Sequence, residues 1–193
     1  MQVVFFPYKV SMWDSFESIY LTAKADKNCD VYCVPIPYYD RNPDKSFGQI
    51  HYEADKYPDY VEVTDWQSYD LENQSPDIAY IHNPYDEHNL VTSVHPGYYS
   101  YNLKKYIGTL VYIPYNVTGG MIGRMHRSLP AYYYVDKIIA QHERQIPFFD
   151  QDVLEKVSAF GSPKFDKVIN LVVTEKMIPD EWKPKLRDKV FFL

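Results

Sequence analysis

An α/β fold with a mostly parallel sheet follows from three observations on this 193-residue chain. Short apolar runs alternate with stretches of helical periodicity, the runs empty into polar loops, and no repeat of solenoid length is present. The central stretch shows the pattern best. Asp77-Ile78-Ala79-Tyr80-Ile81 leads into His82-Asn83-Pro84-Tyr85-Asp86, and Thr109-Leu110-Val111-Tyr112-Ile113 leads into Pro114-Tyr115-Asn116. Loops that leave the carboxyl ends of successive parallel strands are where an open α/β sheet binds ligands.

Taken in order, Gln2 to Phe6 reads as the first strand, with Pro7-Tyr8-Lys9 as its outgoing loop. Met12, Phe16, Ile19, Tyr20 and Ala23 then recur at spacings of three and four, which predicts a helix from Met12 to Lys24 with Ser11 as its cap. Asp30 to Val34 is the second strand, stopped by Pro35 and Pro37. Residues 35–60 are rich in Pro, Tyr and Asp and read as an ordered insertion that covers a cleft, with a hairpin around Gly48 to Tyr52. Val61 to Val63 reads as a short strand and Trp66 to Leu71 as a short helix. A helix is expected from Tyr98 to Tyr106. Beyond the centre, Asp136 to Ala140 and Lys156 to Phe160 read as strands. Helices are expected over Pro147 to Leu154, Lys167 to Thr174 and Pro179 to Arg187, and Val190 to Leu193 reads as the start of another strand. The division expected is one α/β domain over 1–178, with 179–193 as a linker and the opening of a second domain that the chain does not include.

Composition narrows the function. A net charge of −6 and a pI near 5.5 argue against a general nucleic-acid surface, which needs clustered Lys and Arg. No run reaches the length of a membrane helix, and the first residues lack the basic start and apolar core of a signal peptide, so a cytoplasmic location is expected. Cys29 and Cys33, four apart on one strand, would stand roughly 13 Å apart, too far for a disulfide. Two cysteines also make a poor zinc site, and neither a metal nor another cofactor is expected. The 20 tyrosines suit the rims of clefts and interfaces, being apolar bodies with a polar tip.

The candidate chemistry sits in the loops. His82, first after its strand, is the candidate general base or else a histidine that caps the strand end by bonding to backbone, and His95, ahead of a helix start, is the second candidate or else part of a turn. Asn83, Tyr85 and Asp86 offer directional hydrogen bonds for a sugar or polyol, although an Asx-turn around Pro84 would also explain them. Thr118, Gly119 and Gly120, with Arg124 nearby, suit close approach to a phosphate, although a plain glycine turn would also explain them, and Lys9, in the loop after the first strand, is a further substrate-binding candidate. Tyr115, Asn116 and His142 complete the expected binding set. His51 and His88 read as solvated.

These residues carry a resemblance. His82-Asn83-Pro84-Tyr85-Asp86 through His95-Pro96 to Leu110–Tyr115, the strand ending Ile139-Ala140, and Gly161-Ser162-Pro163-Lys164-Phe165-Asp166 together resemble the amino-terminal half of the CDP-glycerol glycerophosphotransferase family of teichoic-acid synthesis. The resemblance implies a Rossmann-like domain, one half of a GT-B transferase. Such a half would hold a polyol, glycan or glycolipid acceptor while the second domain holds the CDP-glycerol-like donor. It further implies attack of an acceptor hydroxyl on the donor β-phosphate with loss of CMP, no activity in the isolated half, and peripheral work at the inner membrane face. Wall-polymer members carry Trp-His-Gly where this chain has Tyr115-Asn116-Val117, and Asn116 cannot accept a proton. Two other readings stand beside it: a Rossmann-like module that binds sugar or nucleotide without turnover, and a scaffold that docks a partner through an exposed tyrosine patch.

Overall fold

In the computed structural model, which describes residues 1–118, 122–173, 181–182 and 184, nine strands form two sheets. In chain order the elements are β1 (Gln2–Phe6), α1 (Glu17–Ala25), β2 (Asp30–Cys33), β3 (Tyr38–Arg41), β4 (Phe47–His51), α2 (Leu71–Gln74), β5 (Ile78–Ile81), β6 (Thr92–Val94), α3 (Ser100–Leu103), β7 (Thr109–Tyr112), β8 (Lys137–Ala140), β9 (Val157–Ala159) and α4 (Pro163–Val173). The main sheet has six strands in the order β2-β1-β5-β7-β8-β9, and every pairing in it is parallel. This is the Rossmann-like α/β arrangement that the alternation of runs predicts.

The period of two along each strand divides the core. Val4, Phe6, Ala79, Ile81, Leu110, Tyr112, Ile138 and Ala140 face one side, where they pack with Leu103, Ala131, Tyr132 and Val153. Val3, Phe5, Val111 and Ile113 face the other, against Trp13, Phe16 and Tyr20. Phe5 stacks on Tyr80 at 4.8 Å and meets Phe16 and Tyr20 edge-on, so the α1 side of the sheet is held largely by aromatic rings.

The first helix begins later than its periodicity suggests. Val10–Ser15 is a 3-10 turn, and the α-helix proper starts at Glu17. Residues three apart eclipse in a 3-10 turn, which lets both Trp13 and Phe16 reach the core, and the Ser15 hydroxyl donates back to the Met12 carbonyl at 2.7 Å. Val63 makes a single parallel bridge to Cys33 rather than a strand. The helix expected over Trp66 to Leu71 instead starts at Leu71, because the Asp70 carboxylate accepts the Asn73 N–H at 3.1 Å and so sets the helix end. Of the helix expected over Tyr98 to Tyr106 only Ser100–Leu103 is α-helical. Residues 147–154 form parts of two 3-10 turns, Glu143–Phe148 and Gln151–Lys156. The helix expected from Lys167 begins at Pro163, four residues earlier than predicted, since a proline at the first helical turn sacrifices no hydrogen bond. Cys29 precedes β2, and both cysteines are free, Cys33 being buried. Gly119, Gly120 and Val190 to Leu193 lie outside the described residues, as does most of Pro179 to Arg187.

The insertion is ordered. β3 and β4 form an antiparallel hairpin, and β6 pairs with the other edge of β3 to complete a three-stranded sheet. Tyr8 meets Tyr38 edge-on at 5.5 Å, so this small sheet leans on the loop that leaves β1.

Candidate functional site

The chain reverses direction across the sheet at β1, which has β2 on one side and β5 on the other. At such a switch point the loops leaving the two strands diverge and open a crevice. Here the crevice is closed by a histidine. His82 is fully buried and its ring stacks on Phe16 at 4.6 Å and 11°. The Tyr8 backbone N–H points at Nε2 from 3.4 Å, and Nδ1 lies 3.2 Å from the Ser15 hydroxyl, whose own proton goes to the Met12 carbonyl. One tautomer satisfies all three contacts: Nε2 accepts from Tyr8 and Nδ1–H donates to Ser15. Burial, and secondarily the Lys164 ammonium, push the imidazole down to about 3. His82 is thus a neutral clasp between the β1 and β5 loops. Both ring nitrogens are engaged and no part of the ring is open to ligand, which is the geometry of a strand-end histidine bonded to backbone and not that of a base with a free lone pair.

His95 is a turn cap. Its Nδ1 accepts the Gly97 N–H at 3.1 Å and its ring lies against Trp66 at 5.1 Å, so its lone pair is committed to the backbone. Asp86, with a left-handed φ of 47°, also serves structure. Its two carboxylate oxygens accept the Ser100 N–H at 2.7 Å and the Ser100 hydroxyl at 2.6 Å, capping α3. Asn83 is buried and its side-chain oxygen faces the Tyr85 N–H at 3.4 Å, the Asx-turn around Pro84.

Three features remain open at the carboxyl edge. In the first, the Lys9 ammonium lies over the rings of Tyr38 at 4.8 Å and Tyr8 at 5.7 Å and forms no ion pair among the described residues. Glu53 frames it: one carboxylate oxygen accepts the Tyr38 hydroxyl at 3.1 Å and the other the Val10 N–H at 2.8 Å. In the second, the hydroxyls of Tyr85 and Tyr115 meet at 3.4 Å, and burial holds the Tyr85 proton on well past its ordinary range. Lys164 fixes the Tyr115 loop by donating to its carbonyl at 2.9 Å while pairing with Asp14 at 3.0 Å.

The third is a cavity of about 240 Å³ between the β7 and β8 loops, lined by Thr118, Gln141, His142, Arg144, Gln145 and Phe165. Amides build its wall. Gln141 Oε1 accepts the Thr118 N–H at 2.8 Å, its Nε2 donates to the Asn116 carbonyl, and Gln145 donates to the Thr118 hydroxyl at 2.7 Å. His142 Nδ1 accepts the Arg144 N–H at 3.0 Å, which leaves Nε2–H as a donor. The Arg144 side chain makes no ion pair among the described residues. Thr118 and His142 therefore line one cavity, whereas the exposed Arg124 lies on a separate 3-10 turn and the Asn116 side chain is exposed. A larger cavity of about 540 Å³ opens on the α4 side of the sheet, but its walls are mainly Tyr80, Val111, Ile113, Ile139 and Phe165, with few converging polar groups.

Comparison of the chain with protein-family models, with curated proteins and with solved structures finds no match. Sequence reasoning missed Tyr38, Glu53, Gln141, Arg144 and Gln145. The first two lie in the insertion, whose pairing with β6 no local pattern announces. The last three follow β8 as polar residues at short spacing, a signal any solvated loop also gives. Among the described residues no helix is long and apolar enough to cross a membrane.

Proposed function

We propose that this chain is the acceptor-side domain of a transferase that moves glycerol phosphate, or a sugar, from a CDP- or other nucleotide-activated donor to an acceptor hydroxyl in cell-wall or surface-polymer synthesis. Its setting would be the cytoplasm at the inner face of the membrane, and the donor would be held mainly by a second domain. The observation that supports this reading is the carboxyl edge of the parallel sheet. Two cations without carboxylate partners among the described residues, Lys9 and Arg144, stand on loops of the same edge as the Tyr85–Tyr115 hydroxyl pair and the Thr118–Gln141–Gln145 amide wall. Hydroxyl and amide arrays recognise polyols, and free cations at the same edge suit a phosphate.

The chemistry such an edge performs is positioning and charge stabilisation. Tyr85, Tyr115 and Gln141 would orient the acceptor, and Lys9 would neutralise charge that builds on the transferred phosphoryl oxygens. The test is CMP release from CDP-glycerol by the full-length protein, with a panel of polyol and glycolipid acceptors, beside Lys9→Ala. Acceptor-dependent release that falls by about tenfold or more in the variant is expected. Release indifferent to Lys9 would remove that residue from the site. A second reading is favoured by the state of His82, His95 and His142, none of which offers a free lone pair at the edge: a binding module without turnover. Glycerol 3-phosphate binding without CMP release under any acceptor would select it.

A further inference from the structure

We infer that His51, held by Asp40, is the proton acceptor for the attacking hydroxyl of the acceptor, an inference that rests on the transferase reading above. A histidine that removes a proton needs one nitrogen with an open lone pair and the other anchored by an acceptor that fixes the ring. Of the six histidines, His82 has both nitrogens engaged, and His95 and His142 have Nδ1 committed to backbone N–H groups. His88 sits 3.8 Å from Glu87 on an exposed turn, and His126 is exposed on its own 3-10 turn.

His51 differs from all of them. Its Nε2 lies 2.9 Å from an Asp40 carboxylate oxygen, while Nδ1 makes no hydrogen bond among the described residues. A carboxylate at Nε2 holds the proton there and leaves the lone pair on Nδ1. The ring is fixed a second time by stacking on Tyr38 at 4.9 Å and 20°. Backbone geometry produces the pair: Tyr38 and His51 are register partners across the hairpin, and the irregularity between Tyr39 and Arg41 turns the chain where Asp40 reaches back to the imidazole.

A cross-strand His–Asp pair on a hairpin is ordinarily a solvated ion pair worth little. The tie to the ligand edge argues otherwise here. Tyr38 is buried, carries the Lys9 ammonium over its ring, meets Tyr8 edge-on and donates its hydroxyl to Glu53. The groups in contact with the imidazole are Asp40 at Nε2 and the Tyr38 ring, and Tyr38 in turn carries Lys9 over its ring and Glu53 at its hydroxyl, the last paired with Lys56 at 3.5 Å. In the step itself the acceptor O–H proton passes to His51 Nδ1 and the oxygen's electron pair forms a bond to the donor β-phosphorus. The bond from that phosphorus to the bridging oxygen breaks, and its electrons leave with the nucleoside monophosphate. Asp40 stabilises the imidazolium that results and acts as a positioning residue. The insertion thus supplies the base, and Asn116 needs no histidine.

The experiment uses full-length protein with labelled histidine and CDP-glycerol with the acceptor panel. Nitrogen NMR is expected to find His51 protonated at Nε2 only, and Asp40→Ala to bring up the Nδ1–H form. His51→Ala is expected to lower CMP release by about a hundredfold, with release partly restored by added imidazole and the amide spectrum of β3 and β4 retained. Release within about threefold of the parent in His51→Ala, or a loss that imidazole does not restore, overturns the assignment while leaving the transferase reading in place. A parent protein that releases no CMP from any activated donor overturns both.

Discussion

At the residue scale the informative contrast is between His82 and His51. His82 follows an apolar run whereas His51 ends the mixed strand β4, and position alone favours His82, the first residue after a strand at the centre of the sheet. What sequence cannot convey is that the β1 loop folds over it: Tyr8, Ser15 and Phe16, distant in the chain, enclose the ring. Enclosure has a pH signature. The folded state holds His82 neutral down to about 3, while the unfolded chain protonates it near 6.5. Above about 6.5 neither state carries the proton, and the clasp contributes fully. As pH falls through that range the unfolded state gains a proton the folded state refuses, and stability declines by about 1.4 kcal/mol per pH unit until the folded value is reached. Urea unfolding at pH 7 and pH 5 is expected to show a larger loss for the natural protein than for His82→Gln. Equal losses in the two proteins would mean the imidazole is not held neutral by the fold.

At the scale of elements, the main strands were legible and their connections were not. β1, β5, β7 and β8 each coincide with an apolar run, because strands inside a parallel sheet are covered on both faces, and the half-exposed edge strands β2 and β9 carry shorter, mixed ones. The short helices gave weaker signals, since side-chain caps and proline override periodicity over four to six residues. Asp86 illustrates the point. It was read as a ligand contact, yet its carboxylate reaches fourteen residues along the chain to Ser100 and takes both an N–H and a hydroxyl. Asp86→Ala should therefore cost about 2–3 kcal/mol and Ser100→Ala about 1 kcal/mol in urea unfolding, because the first removes two charge-assisted bonds and the second only one. The reverse order would place the work of the capping elsewhere. Of the candidate site, Thr118 and His142 are visible in the sequence because they lie in the loops that leave β7 and β8. The Lys9–Tyr38–Glu53 group was only a third visible, since two of its members depend on how the insertion folds back.

At the scale of the molecule, the two sheets differ in how they are held. The six-stranded sheet is sandwiched between two apolar clusters, whereas β4 is an edge strand with Phe47 and Ile50 exposed. Local opening follows the number of buried contacts, so the two sheets should exchange hydrogen at different rates. Amides of β1, β5 and β7 are expected to exchange only through global unfolding, and those of β4 by local opening at least about tenfold faster. Uniform protection across both sheets would show that the small sheet is part of the same cooperative unit.

The strand order has a consequence for synthesis. β1 is made well before β5, its partner on one side, with Val3 in register with Ile78 and Phe6 with Ile81. The aromatic residues that will fill the α1 side, and the β1 edge itself, must wait for that partner to be translated. At about 5–20 residues per second the wait lasts roughly 4–16 seconds. Through this interval the nascent chain can pair β1 only with β2, leaving Phe5 and Phe6 without Tyr80 and Ile81 beside them. That is the period in which a chaperone at the ribosome exit would find its binding site.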